Sequence, residues 1–138
     1  MSTTLTQILD QLDVILKANV PTGTKVFRDR ADAESRSEVP SINVTARDDN
    51  VTPYSAEMDR HEAMVELHIS VRADPPTPVA EIQHAAVHTA IVTDPVLLGL
   101  CQSVRQLTAT FNPAEADLTS LVKTVQYRCT YLIPQTTL

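Results

Sequence analysis

His84 and His88 stand four residues apart, with Glu81 on the same helical face one turn earlier. On a helix that spacing lets two imidazoles share a zinc ion. The stretch departs from the HExxH pattern, because Ala85 follows His84, and no third ligand is evident. These residues read as the solvated polar face of a helix. His61 and His68 flank an alternating apolar run, and they read as surface or interface histidines rather than general bases. Asp48, Asp49, Glu57, Asp59 and Glu62 supply carboxylates, but in segments read as loops, with no neighbour that would drive two pKa values apart. GxSxG, P-loop and GxGxxG patterns are absent, and two glycines cannot build a phosphate cradle. Cys101 and Cys129 lack metal spacing and read as packing thiols, with a disulfide between neighbouring strands as the alternative. The expectation is a protein with no catalytic residues, no metal and no cofactor.

The chain of 138 residues is long enough for one domain, 1–138, with a core that needs no staples. Its formal charge of −6 and scattered basic residues argue against a nucleic-acid binder, which needs clustered Lys and Arg. Two Phe, three Tyr and no Trp argue against a stacking platform for single strands. The opening "MSTTLTQILD" has no basic, apolar leader pattern, and no run approaches the roughly 18 apolar residues of a membrane span. A protein made in the cytoplasm, without membrane contact, is expected.

Helical spacing of Leu5, Ile8, Leu9, Leu12, Ile15 and Leu16 predicts a first helix, opened by a Thr4/Gln7 capping box and ended by "NVPTG". "TKVFRDR" and "PSINVTARDD" read as strands. Residues 49–62 read as a loop or an open hairpin tip. "AMVELHISVRA" is a half-buried strand, with Val65, Leu67, Ile69 and Val71 inward. A second helix is expected over about 78–92, with Val79, Ile82, Ala86 and Ala90 inward. "TDPVLLGL" reads as a short helix capped by Asp94, with Pro95 at its first position and Gly99 closing it in a left-handed conformation. Strands over 103–111 and 121–133 finish the chain. The order α-β-β-β-α-(short α)-β-β predicts an α+β fold, a mainly antiparallel five-stranded sheet with two main helices on one face.

That order, with "VFRDRA", "VPSINV", "AMVELHISV", "DPVLLGLCQSV" and "TVQYRCTYLI", resembles the tail terminator proteins of long-tailed phages, the minor tail protein U family. The resemblance implies a structural virion protein, made in the host cytoplasm and located on the tail. Its partners would be further copies in a hexameric ring, the tail tube protein and the head-completion protein. The ring would end tube polymerisation and form the surface that joins the head. DNA would pass through its lumen without specific binding, past acidic walls that repel phosphates. A head–tail joining or neck protein, and a small non-virion binding domain, are the alternative readings. Sign-alternating segments 28–38 and 47–62 are suited to docking on a neighbour. Arg28, Asp29, Arg30, Asp32, Asp48, Asp49, Asp59 and Arg60 are therefore the candidate contacts between subunits.

Overall fold

A computed structural model describes residues 3–29, 39–114 and 117–137. Helix α1 (Thr4–Asn19) buries Ile8, Leu9, Leu12, Ile15 and Leu16, as its periodicity predicts. Each such side chain contributes about 1.5–3 kcal/mol when fully removed from water. The cap lies one residue earlier than expected. The Thr3 hydroxyl accepts the Thr6 N–H at 3.1 Å, and the Thr3 carbonyl already accepts the N–H of Gln7. After the helix, Gly23 has φ +92, a left-handed conformation that suits glycine.

Five strands follow in the spatial order β1-β2-β3-β5-β4. Strand β1 (Lys25–Arg28) is parallel to β2 (Ser41–Pro53), with Val26 beside Ile42. The remaining neighbours, β2 with β3 (Met58–Arg72), β3 with β5 (Asp117–Pro134) and β5 with β4 (Ser103–Ala114), are antiparallel. The sheet is therefore mixed but mainly antiparallel.

Residues 49–62 are mostly strand, not loop. The turn is confined to 54–57, where the N–H groups of Tyr54 and Ser55 share the Met58 carbonyl. The cause is a third strand: β5 reaches far enough to pair Asp59 with Ile133 and His61 with Tyr131. A polar segment holds extended structure when neighbours complete its backbone hydrogen bonds.

Between β3 and β4 run α2 (Pro76–Thr93) and α3 (Pro95–Leu100). Asp94 caps α3 as predicted, its Oδ2 accepting the Leu97 N–H at 2.9 Å. The same oxygen accepts from Gln11 Nε2 at 3.0 Å, which ties α1 to this corner. Gly99 does not close the turn. It lies within α3 without a positive φ, and the Cys101 N–H bonded to the Leu97 carbonyl ends the helix. Cys101 consequently precedes β4 instead of lying in a strand.

The helices cover one face. Alternate residues Val65, Leu67, Ile69 and Val71 of β3 and Val125, Tyr127, Cys129 and Tyr131 of β5 are buried beneath them. With the inner residues of α1 they form one continuous core. No described helix is long and apolar enough to cross a membrane.

Candidate functional site

The candidate contact residues that the structure describes all lie on the β1–β2–β3 side of the sheet. Arg30 and Asp32 fall outside the described residues. Arg28 ends β1 and forms an ion pair with Asp10 of α1. Asp29 follows with φ +53, and its N–H bonds to the Val44 carbonyl. Asp48 and Asp49 lie farther along β2, beyond the reach of β1. Asp59 and Arg60 open β3, where Arg60 lies over the Tyr54 ring at 5.2 Å. Two groups result, one at the end of β1 and one along the β2–β3 hairpin.

Asp49 belongs to the fold more than to a free surface. Its Oδ2 accepts both the His61 ring at 2.9 Å and the Tyr131 hydroxyl at 2.8 Å. His61, 5% exposed, stacks on Tyr131 with ring centroids 4.9 Å apart. Burial and then the Asp49 carboxylate push the Tyr131 hydroxyl well above its usual range. The buried, free Cys101 and Cys129 lie close enough to influence each other. The Cys101 thiol and then burial push Cys129 up, and the Cys129 thiol holds Cys101 below the usual thiol range.

The largest departure from expectation is on α2. Its buried face is Ala80, Gln83, His84, Val87 and Ile91, while Ile82 is 62% exposed. Sequence reasoning placed Ile82 inside and His84 outside. The inversion follows from β5, whose inward row carries Lys123 and Tyr127 between apolar neighbours. Lys123, 3% exposed, donates to Glu81 Oε1 at 2.6 Å and to His84 Nδ1 at 2.8 Å. An ammonium only donates, so His84 Nδ1 accepts and its proton sits on Nε2. Nε2–H donates to the Tyr127 oxygen at 2.9 Å, and the Tyr127 O–H donates to His88 Nδ1 at 2.7 Å. Every bond in this chain has one direction, set by the lysine. Phe111 adds a ring face 5.3 Å from the ammonium.

Burial, the Lys123 charge and then His88 lower the His84 pKa to about 4, against a smaller opposing effect of Glu81. His84 is thus a neutral hydrogen-bond relay. With Lys123, His84 and Tyr127 at 3, 7 and 1% exposure, the cluster is enclosed and holds α2 on the sheet. One sequence signal could have revealed it: Lys123 shares the strand parity of Leu121, Val125 and Tyr127, so it is a buried cation in need of partners. Among the described residues, no three His, Cys, Asp or Glu side chains are grouped to hold a metal.

The face away from the helices is polar and cross-linked. Arg47 Nη1 and Gln126 Nε2 both donate to Glu66 Oε2, at 3.3 and 2.9 Å, and Thr108 donates to Gln126 Oε1 at 2.9 Å. This row crosses β2, β3, β5 and β4. Both margins of the sheet remain open among the described residues. Strand β1 covers only Ser41–Val44 of β2, which leaves 45–53 without a strand on that side. At the other margin β4 pairs with β5 alone. No protein-family model matches the chain, and no curated protein matches it.

Proposed function

We propose that this protein is a non-catalytic virion component that closes into a ring on a phage tail tube, ends tube growth and presents the surface that joins the head. The observation that carries this reading is the pair of open sheet margins. Strand β4 is 12 residues long, exposed over most of its length, and charged only at Arg105, with Leu107 and Phe111 accessible. Edge strands of that kind invite pairing unless something covers them. Its protections are a bulge at Leu107 and Pro113 near its end. Strand β4 runs opposite to β2. Copies related by rotation about an axis along the strands therefore bring β4 beside the open part of β2 in antiparallel order. That is a head-to-tail interface, which closes into a ring when the rotation closes.

Nine open residues of β2 (45–53) offer up to about eight ladder hydrogen bonds. At about 1 kcal/mol net each, they only match an association cost of about 4–15 kcal/mol. A monomer in dilute solution and a ring on the tube, which acts as template, both follow. The candidate contacts Asp48, Asp59 and Arg60 lie along this hairpin, and Arg28 and Asp29 at its root.

The test places lysines on the open strand, Leu107→Lys with Thr110→Lys. Circular dichroism should show an intact fold, and electron microscopy should show tails of abnormal length that fail to join heads. Closed rings and normal tails from the double variant would refute the margin as interface. Tails of normal length beside separate heads, in the absence of the protein, would assign it to the neck instead.

A further inference from the structure

We infer that the open sheet face is a phosphate-contacting surface for duplex DNA, centred on Arg105 and Arg128. The inference rests on the ring reading for the way this face meets DNA. Its physical basis is separate. The chain carries a formal charge of −6, yet its charge is unevenly placed. Strand parity puts Arg60, Arg72, Arg105 and Arg128 on the open face, and Arg47, in the β2 bulge, joins them through its bond to Glu66, against Asp48, Glu62 and Glu66 among the described side chains. Of the other described acidic residues, Asp10, Asp13 and Glu81 lie on helices, Glu57, Asp74 and Asp94 in connections, and Asp49 and Asp59 at strand positions on the helix-covered side.

The register then places Arg105 directly opposite Arg128. Directly opposed residues share one face, with Cβ atoms about 4.5–5.5 Å apart, and like charges there are destabilising. Neither cation is well satisfied. Among the described residues Arg105 has no ion pair and is exposed. Among the described residues Arg128 has one long ion-pair contact, Nη1 to Glu62 Oε2 at 3.6 Å, and its buried Nε has no hydrogen-bond partner there. The adjacent rung is Ser103 opposite Thr130, two hydroxyls beside two guanidiniums. A phosphodiester has two charged acceptor oxygens, and it would relieve the repulsion while occupying both forks.

The overall charge keeps this contact weak. Beyond a Debye length of about 8–10 Å the acidic chain repels DNA, so a free duplex reaches the arginines weakly and chiefly at low salt, and a duplex held against the face reaches them more readily. Such a surface lets DNA touch and slide without a stable stop, and it reads no sequence, since phosphate contacts carry none.

The probe is a random-sequence DNA duplex, labelled for fluorescence anisotropy and titrated across a salt series. Wild-type protein should bind with a linear fall of log K against log salt. Arg105→Gln should reduce the slope by about 0.9, and Arg105→Gln with Arg128→Gln by about 1.8. Lys17→Gln on α1, away from this face, should leave slope and affinity unchanged. Wild-type affinity in the double variant, or equal weakening by Lys17→Gln, overturns the inference. So does saturation of the pair by inorganic phosphate with no binding of duplex. Should the double variant misfold, the single change at exposed Arg105 carries the same test. Rings on tubes without arginine-dependent DNA contact would refute this inference alone, whereas arginine-dependent contact in solution with no rings on tubes would refute the ring reading alone.

Discussion

Acid should loosen the attachment of α2 to the sheet through one imidazole, and the effect can be isolated. Folded His84 has a pKa near 4, lowered from 6.5 chiefly by burial and by Lys123 2.8 Å away. The unfolded chain therefore takes up the proton first as pH falls. His84 contributes its full stability above about pH 6.5 and loses it progressively down to about pH 4, below which the loss levels off. One pH unit across that window corresponds to about 1.4 kcal/mol. The window from 6.5 to about 4 therefore bounds the loss at about 3 kcal/mol. The perturbation is His84→Gln, whose amide can accept from Lys123 and donate to Tyr127 without titrating. Urea unfolding, followed by circular dichroism, should be compared for both proteins from pH 4 to neutrality. The wild type should lose its advantage over the variant as pH falls, by up to that amount. A difference that stays constant across the window would refute the assignment of His84 as a buried neutral relay.

Two further outcomes follow from the same geometry. Glu81→Gln leaves the buried Lys123 charge without its carboxylate and should cost on the order of 2 kcal/mol, less than a fully enclosed pair because Glu81 is itself half-exposed. Adding Lys123→Met should recover most of that loss in chemical denaturation, whereas a loss unchanged in the double variant would mean the ammonium was never the cause. Asp94→Ala removes the α3 cap and the bond from Gln11, and thermal unfolding should show a loss of about 1–2 kcal/mol.

Much of the architecture was legible without coordinates. Strand β3 alternates Val65, Leu67, Ile69 and Val71 with polar residues, and burial follows that alternation up to Ile69, after which Ser70 is buried as well. Helix α1 buries all but one of its predicted stripe, Leu5 being only partly covered. The Asp94–Pro95 start of α3 was readable because capping involves groups three residues apart. Gly99 departs from the expectation for a related reason: glycine permits a left-handed turn but does not require one, and the α3 ladder continues to the Cys101 N–H.

Interactions across long sequence separations were not legible. Residues 49–62 look like a polar loop until β5 arrives to pair with them. His84 looks solvated until Lys123 and Tyr127, on a strand some 40 residues later, supply a donor and an acceptor. The same applies to charge. Composition yields −6 for the chain, but only the pairing of strands puts Arg105 opposite Arg128 and separates a basic sheet face from the acidic remainder. Local periodicity and capping determined most helices and strands, residues 49–62 excepted, because those rest on neighbours a few residues away. The burial of polar side chains, the open margins and the sign of each face were decided by tertiary structure, because each depends on which distant strand lies alongside.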